Sequence, residues 1–281
     1  MTNNTGSRKT GGEAPLLSGR HLTKTFQNSN KRSFNACDDV SFEVYPGETL
    51  GIVGESGSGK STLMRMLVGL TEPTGGEMIF LGKDLGAIKG KDAREMRRHI
   101  QMIFQDPGTA FDPRMKIRDI ICEPLLNYRL IDKKLKDETA EKFLHMVELP
   151  AGFKDRYPQQ LSGGQRQRVG IARALTLEPE LIICDEVTSA LDVSVQKNVL
   201  DLLKRLQKEK GVAYLFICHD LAVVEEMADR ILVMNQGKIV ERLPGTNIRK
   251  AAKEPYTRKL IDSVFEPKSA IANRQNRQTD I

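Results

Sequence analysis

The apolar and polar positions of this sequence follow two periods that alternate along the chain. Short apolar runs bounded by polar or glycine residues predict buried strands, and apolar residues at intervals of three and four predict amphipathic helices. The runs predict strands at residues 40–44, 50–53, 181–184, 214–218 and 231–234. The longer period predicts helices at residues 61–70, 133–149, 165–177, 193–210 and 221–228. Strands that alternate with helices in this way indicate an α/β fold with a mostly parallel sheet covered by helices.

The same pattern divides the chain into segments. Residues 1–15 are polar and rich in glycine, which predicts a disordered leader. The stretch from about 89 to 160 is charged and helical in its periodicity, so we predict a helical subdomain inserted into a domain that spans residues 16–250. Residues 251–281 form a polar, basic tail whose only evident anchor is the dipeptide Pro255-Tyr256.

Composition and charge exclude several functional classes. The net charge of +6 is mildly basic, but lysine and arginine are scattered instead of forming a stripe, which disfavours nucleic-acid binding. No stretch is long and apolar enough to span a bilayer, and the N-terminus lacks an apolar signal core. The four cysteines form no Cys-x-x-Cys pair, and Cys184 and Cys218 lie in apolar runs typical of buried thiols. These features predict a cytosolic protein, with any membrane association provided by partners.

A glycine-rich stretch, GESGSGKST at residues 54–62, lies between a predicted strand and a predicted helix. It fits the phosphate-loop pattern G-x-x-x-x-G-K-[ST], whose glycines let backbone N–H groups and a helix N-terminus surround a phosphate. Lys60 would neutralise the outer phosphates, and the Ser61 hydroxyl is a ligand for Mg²⁺. The predicted site for a nucleoside triphosphate comprises Gly54, Ser56, Gly57, Ser58, Gly59, Lys60, Ser61 and Thr62.

Two adjacent acids end the predicted strand at residues 181–184. Asp185 is placed to hold Mg²⁺ through water, and Glu186 to polarise an attacking water molecule. Acids at a strand end are also common as ordinary polar edges. The acid pair therefore indicates a nucleotide site only in combination with the phosphate loop earlier in the chain.

The stretch LSGGQ at residues 161–165 adds a third motif. With it, the sequence resembles the ABC-type ATPase family, in which LSGGQ is the signature motif. The resemblance implies a P-loop NTPase core of the ABC type, with an N-terminal antiparallel β portion and an inserted helical subdomain. It also implies ATP and Mg²⁺ as cofactors, with ATP held between two ATPase domains. The signature residues that would meet the phosphates of the second domain are Ser162, Gly163, Gly164 and Gln165.

Further positions match the family's pattern. Phe26 fits the aromatic residue that stacks on adenine, although a core phenylalanine is the alternative. Gln105 fits the glutamine that touches Mg²⁺ and senses the membrane partner, and His219 fits the switch histidine beside the γ-phosphate. The resemblance thus implies Glu186, His219 and Lys60 as catalytic residues, and Ser61, Gln105 and Asp185 as metal ligands.

The sequence departs from the family after the catalytic acid, where Val187 replaces the usual proline. Proline fixes φ and would stiffen that turn. Valine removes the constraint but leaves Glu186 in place, so we expect hydrolysis to survive.

Two stretches narrow the resemblance to the oligopeptide, dipeptide and nickel importers. Residues 103–121 and 254–261 are similar to motifs of that group, with Asp112 in place of asparagine and Glu254 in place of histidine. No cysteine follows Cys218, so no iron–sulfur cluster is assigned. The resemblance implies permease subunits, a second ATPase subunit and an extracytoplasmic solute-binding protein as partners, at the cytoplasmic face of the inner membrane. It leaves open whether the cargo is a peptide or a nickel or metal chelate, and whether the two ATPases are identical.

Other classes carry similar motifs. A mechanical ABC-type ATPase of DNA repair or translation usually has long coiled coils or two ATPase halves, which this sequence lacks. An ABC-like subunit of a non-transport assembly, such as those of phosphonate breakdown, stays an alternative. An exporter half is disfavoured by residues 105–114 and by the absence of an apolar span. Association with a membrane permease would distinguish an importer subunit from a mechanical ATPase and from a subunit of a non-transport assembly.

Overall fold

A computed structural model describes residues 14–27, 32–189 and 191–265. The leader predicted for residues 1–15 lies outside the described residues except for its last two positions. The end of the predicted tail, residues 266–281, also lies outside them.

Ten described strands form two sheets. Their bounds are β1 Leu17–Gln27, β2 Ser33–Val44, β3 Thr49–Val53, β4 Gly75–Phe80, β5 Lys83–Asp84, β6 Ile100–Ile103, β7 Leu181–Asp185, β8 Ala213–Ile217, β9 Arg230–Asn235 and β10 Lys238–Pro244. The first sheet has the order β2-β1-β4-β5 and is antiparallel throughout. The second has the order β10-β9-β3-β8-β7-β6, and only its edge strand β10 is antiparallel. The predicted α/β fold with a mostly parallel sheet and an antiparallel β portion is confirmed.

The larger sheet is apolar on both faces because each face packs against a different layer. On β8, Ala213, Leu215 and Ile217 contribute to a core shared with the first sheet. Tyr214 and Phe216 point to the other face, where the helices pack. This burial on both faces explains why the parallel strands read as continuous apolar runs in the sequence.

The helices cover the sheet and fill the segment between β6 and β7. Their bounds are α1 Lys60–Leu67, α2 Gly90–His99, α3 Pro107–Ala110, α4 Ile117–Asn127, α5 Lys136–Met146, α6 Gly163–Leu175, α7 Val193–Lys210, α8 Leu221–Met227, α9 Ile248–Ala251 and α10 Pro255–Phe265. Short 3₁₀ turns occupy Lys133–Leu135, Ala151–Asp155 and Pro158–Gln160. None of the helices in the described part of the chain combines the length and apolar character needed to cross a membrane.

Two predicted helices are shorter in the structure. The helix predicted for residues 61–70 ends at Leu67, because Gly69 adopts a left-handed φ of +70°. The helix predicted for residues 133–149 begins with a 3₁₀ turn and ends at Met146. Glu148 there has a φ of +58°, and its carboxylate accepts hydrogen bonds from Arg168 and Arg205. These local backbone reversals, not the apolar spacing, set the helix ends.

The stretch predicted as a helical subdomain, about 89 to 160, contains one strand. β6 lies in this stretch and forms the edge of the larger sheet beside β7. The helical segment without strands therefore starts after β6 and continues to α6. The division of the chain into domains stays a prediction.

All four cysteines are buried free thiols, which extends the expectation for Cys184 and Cys218. Burial raises the pKa of Cys37, Cys122 and Cys218 to about 11 each. At pH 8 only about 0.1% of such thiols are ionised. We therefore expect no fast reaction of the folded protein with a disulfide reagent such as Ellman's reagent at pH 8, and four reactive thiols after unfolding in guanidinium. A thiol that reacts within minutes in the folded protein would contradict this burial.

Candidate active site

The strand order brings four separate segments to one edge of the larger sheet. β3, β8, β7 and β6 are consecutive parallel neighbours, so their carboxyl ends lie side by side. The loop at residues 54–62 follows β3, and His219 follows β8. Glu186 follows β7, and Gln105 follows β6. Residues separated by more than 150 positions in the sequence therefore meet at one end of the sheet.

An open cleft of about 600 Å³ lies at this edge. It is lined by Phe26, Phe34, Ala36, Ser56, Gly57, Gly59, Lys60, Ser61, Thr62, Asp185, Glu186, Ile217 and His219. All of them except Phe34, Ala36 and Ile217 are predicted site residues. The structure thus joins the phosphate-loop motif, the two acids and the histidine in one cleft.

Close backbone contacts require glycine at two positions of the loop. A Cβ atom on Gly54 would lie 2.2 Å from the carbonyl oxygen of Met234. A Cβ atom on Gly59, whose φ is +106°, would lie 2.4 Å from the carbonyl oxygen of Ala36. Larger residues would push the loop away from β2 and β9. Gly54 itself is buried beneath the loop and does not line the cleft.

Lys60 is held from inside the loop. Its Nζ donates to the carbonyl oxygens of Gly54 at 2.7 Å and Glu55 at 2.9 Å, and to Ser58 Oγ at 3.3 Å. Burial lowers the pKa of Lys60, and the nearby carboxylate of Glu186 opposes that shift. Ser58 is buried and serves the loop interior instead of lining the cleft. The ammonium group is therefore oriented before any phosphate arrives.

Glu186 is the centre of a polar cluster in the cleft. Its Oε2 accepts a hydrogen bond from Gln105 Nε2 at 3.0 Å, and its Oε1 lies 3.3 Å from His219 Nδ1. Gln105 Nε2 also donates to Ser189 Oγ at 3.1 Å. The neighbouring acid, Asp185, has a raised pKa because it is partly desolvated and lies beside the Glu186 carboxylate. Gln105 thus contacts the candidate catalytic acid directly, although it does not line the cleft.

The turn after β7 closes without the family's usual proline. The Ser189 N–H donates to the Glu186 carbonyl oxygen at 3.0 Å, and the Ser189 hydroxyl donates to the same oxygen at 3.0 Å. Val187 is 1% exposed and packs in the helix-facing core. Two hydrogen bonds and the buried valine side chain therefore hold the turn that carries Glu186.

The LSGGQ residues lie outside this cleft. Ser162 caps α6, because its hydroxyl accepts from the Gln165 N–H at 3.3 Å while Gln165 Oε1 accepts from the Ser162 N–H at 3.0 Å. A Cβ atom on Gly164 would lie 2.4 Å from Val195 Cγ1, so α6 approaches the start of α7 closely there. Ser162, Gly163, Gly164 and Gln165 do not line this chain's own cleft, and their contact with the phosphates of a second ATPase domain stays a prediction.

The sequence prediction missed an aromatic partner of Phe26. Phe34 lies directly opposite Phe26 in the β1–β2 pairing, with ring centroids 6.0 Å apart. The two residues are 39% and 52% exposed, and both line the cleft. This exposure argues against Phe26 as a core residue. The polar residues 28–31, which separate Phe26 from Phe34 in the sequence, are a turn signal that would have suggested the pairing, although the flanking segments do not alternate cleanly.

Comparison with known proteins decides the family. The model of the ABC transporter family matches residues 37–189, more than half of the chain. This chain belongs to the ABC transporter family. It is an ATP-binding and ATP-hydrolysing member, as the motifs in its sequence predicted.

Relatives of this ABC transporter ATPase align with nearly the whole chain. The oligopeptide transport ATP-binding protein OppF of Haemophilus influenzae is 48% identical over 262 residues, covering 90% of this chain and 79% of that protein. The putative oligopeptide transport ATP-binding protein YkfD of Bacillus subtilis is 45% identical over 264 residues, covering 94% and 80%. A putative peptide import ATP-binding protein of Brucella ovis is 45% identical over 270 residues, covering 96% and 85%.

Solved structures support the same fold. A dimer of the ATP-binding cassette MJ0796, in a post-hydrolysis state with ADP and Pi, has a TM-score of 0.73 and 29% identity, covering 83% of this chain and 100% of that one. The cbiO1 protein of Clostridium perfringens has a TM-score of 0.74 over 94% of this chain and 100% of its own length. Its identity of 24% makes it evidence for the fold alone.

The exposed aromatic pair of this ABC transporter ATPase predicts how the base is bound. We expect Phe26→Ala to raise the Kd for ATP about three- to tenfold, because a stacking contact contributes about 0.5–1.5 kcal/mol. Phe34→Ala should act in the same direction with a smaller effect. Phe26→Tyr, which keeps the ring, serves as the control. Calorimetric titration should show this loss for ATP but not for inorganic triphosphate, which has no base; equal weakening of both ligands would contradict stacking.

Proposed function

We propose that this ATPase energises the import of peptides through a membrane permease. The observation that carries the proposal is the cleft in which the phosphate loop, Asp185, Glu186 and His219 lie together. The cargo is inferred from the relatives, because the names of all three concern oligopeptide transport or peptide import. Those names favour peptides over nickel or other metal chelates.

ATP is proposed to lie along the cleft from the aromatic pair to the acids. Phe26 stacks on the adenine, and the N–H groups of the loop and of the α1 N-terminus hold the phosphates. Lys60 neutralises the outer phosphates. The remaining proposed contacts in this half of the site are Gly54, Ser56, Gly57, Ser58, Gly59, Ser61 and Thr62.

The donor set beside the phosphates fits Mg²⁺. Ser61 and Asp185 line the cleft and offer hydroxyl and carboxylate oxygens, which this cation prefers. Gln105 offers an amide oxygen as well, since its amide nitrogen is already hydrogen-bonded to Glu186, the residue after Asp185. Bound there, Mg²⁺ would neutralise charge on the phosphate oxygens.

Hydrolysis is proposed to depend on Glu186. Its carboxylate faces the cleft and accepts a proton from, or orients, the attacking water. The contacts with Gln105 and His219 fix both of its oxygens. His219 and Lys60 stabilise the charge that develops on the transferred phosphoryl group.

A second ATPase domain is proposed to complete the site. Ser162, Gly163, Gly164 and Gln165 do not line the cleft of their own chain. The N–H groups of Ser162 and Gln165 are used in the α6 cap, so the N–H groups of Gly163 and Gly164 and the Ser162 hydroxyl are the proposed contacts with the phosphates of a partner. ATP then binds the closed pair better than the open one, and closure drives the permease. The partner is either a second copy or a related subunit.

The remaining parts of the proposal concern the assembly. The helical insertion, about residues 89–160, and Gln105 contact the permease subunits at the cytoplasmic face of the cell membrane. A solute-binding protein on the outer side delivers the peptide. The ATPase domain starts at residue 16 and extends past the predicted boundary at residue 250 to include α10, because Leu260 and Ile261 are buried in its core.

Purification from native membranes in a mild detergent tests the transport role. Mass spectrometry of the co-purifying proteins should identify two multi-span permeases, an ATPase subunit and a solute-binding protein whose ligands are peptides. Recovery of the chain in the soluble fraction with enzymes would favour the non-transport assembly and overturn the importer proposal. A metal chelate on the binding protein would overturn the peptide assignment alone.

A further inference from the structure

The C-terminal segment forms part of the folded domain, although its sequence reads as a polar tail. Helix α10 packs against α8, which begins two residues after His219. Leu260 and Ile261 are buried in the helix-facing core. Tyr256 is partly buried against the same core. The first turns of α10 therefore have a fixed position relative to the candidate active site.

The start of α10 is also fixed from β10. Glu241 Oε1 accepts hydrogen bonds from the backbone N–H groups of Lys253 at 2.7 Å and Glu254 at 3.3 Å. Arg258 Nε donates to the carbonyl oxygen of Ala252 at 3.2 Å. These contacts hold the chain just before Tyr256, so the side chain of that residue projects from an anchored backbone.

Tyr256 reaches the phosphate loop. Its hydroxyl accepts a hydrogen bond from the Glu55 N–H at 3.0 Å, between residues 201 positions apart. The carbonyl oxygen of Glu55 in turn accepts from Lys60 Nζ at 2.9 Å and from the Ser58 N–H at 3.2 Å. The Tyr256 hydroxyl therefore holds the peptide group that joins Gly54 to Glu55, and the Gly54 carbonyl oxygen of that same group accepts from Lys60 Nζ at 2.7 Å.

We propose that Tyr256 is a positioning residue of the nucleotide site, acting through Glu55 on Lys60. Glu55 is exposed at the start of the glycine-rich loop, and the Tyr256 hydroxyl is the hydrogen-bond partner of its N–H in the described structure. Because a peptide group is planar, fixing the Glu55 N–H fixes the direction of the Gly54 carbonyl group, which accepts from the Lys60 ammonium. The loop is then ordered before the nucleotide binds, and the nucleotide does not have to supply that ordering free energy. This inference rests on the proposed role of the loop in binding ATP.

The substitution Tyr256→Phe removes the hydroxyl and keeps the ring that packs on the core. We expect it to raise the KM and the Kd for ATP about three- to tenfold, the range that one hydrogen bond supports. The kcat should stay within about twofold, because the ordered loop serves the bound substrate and the transition state alike. A purely structural role would instead reduce the folded fraction, and with it the apparent kcat, at unchanged KM.

Tyr45→Phe is the matched control. The Tyr45 hydroxyl donates to Glu43 Oε2 at 2.7 Å on β2, away from the cleft. This variant should keep both the KM and the kcat of the unaltered chain. Thermal unfolding without nucleotide should give similar midpoints for the two variants. A difference in KM between them could then not be caused by a difference in stability.

Hydrogen exchange provides a second readout at the loop itself. The Glu55 amide should exchange faster in Tyr256→Phe, and the Ser58 amide, which donates to the Glu55 carbonyl, should follow. Faster exchange at Glu55 alone, with unchanged KM, would overturn the positioning role. The unaltered chain is titrated with ATP first: no binding there would count against the proposed function, whereas binding that Tyr256→Phe leaves unchanged would count against this inference only.

Discussion

Replacing Glu186 by glutamine is expected to lower the rate of ATP hydrolysis at least about a hundredfold while leaving ATP bound. Removing a general base from a positioned site typically costs about 10²–10⁴ in rate. Glutamine has the same shape as glutamate, and its amide keeps an oxygen to accept from Gln105 Nε2, which lies 3.0 Å away in the structure. The phosphate loop is untouched, so the Kd for ATP should change by less than about threefold. Phosphate release and calorimetric titration measure the two quantities.

Glu180→Gln is the matched control for this change. Glu180 also contacts a histidine, with Oε2 at 2.8 Å from His99 Nδ1, but it precedes β7 whereas Glu186 follows it. The same loss of charge at the opposite end of one strand should leave hydrolysis unchanged. Normal turnover in Glu186→Gln would remove Glu186 from the mechanism and leave the binding role of the cleft intact.

The parallel core could be predicted from the sequence because its signals are local. The strands β3, β7, β8 and β9 are apolar runs, since both of their faces are covered. Helix α7 was predicted with the observed bounds, residues 193–210, because the chain marks both ends. Asp192 accepts from the Val195 N–H at 2.9 Å at the start, and Gly211 has a φ of +71° at the end.

The antiparallel sheet, β2-β1-β4-β5, lacks such local sequence signals. β1 has no clean alternation of buried and exposed residues, and its pairing with β2 shifts register between Gly19 and Leu22 and twice more before Thr25. In the larger sheet, the parallel edge strand β6 also lacks a signal, because it is short and only Ile103 in it is buried. Missing β1 and the start of β2 also meant missing Phe34 as the partner of Phe26. Because the apolar and polar residues alternate only weakly here, the sequence predicted neither these strands nor Phe34 as a cleft residue.

The candidate site was predictable as a set of motifs, but not as a geometry. The phosphate loop and the acid pair each follow a strand, yet the neighbourhood of Gln105, Glu186 and His219 depends on the strand order β6-β7-β8, which no local pattern encodes. The contact between Tyr256 and Glu55 is of the same kind, because it joins residues 201 positions apart. Tertiary packing supplies what sequence periodicity does not.

Replacing Lys60 by alanine is expected to weaken ATP binding about ten- to a hundredfold. A hydrogen bond to a charged group contributes about 1.5–3 kcal/mol, and the ammonium would be the cation that faces the outer phosphates from inside the loop. The nucleotide-free protein should lose little stability, since burial already disfavours the charged form of this lysine. The loss should therefore appear in the Kd for ATP and in the stabilisation that saturating ATP gives, and not in the unfolding midpoint without nucleotide.

Lys204→Ala separates this local effect from a change of net charge. Lys204 pairs with Glu226 at 2.8 Å, joins α7 to α8 and does not line the cleft. Its removal changes the net charge by the same amount and should leave the Kd for ATP unchanged. Adenosine offers a further distinction, because it lacks phosphates and should lose no affinity in Lys60→Ala. If Lys60→Ala bound ATP as tightly as Lys204→Ala does, residues 54–62 would not be the phosphate site, and the cleft would need another cation for the nucleotide.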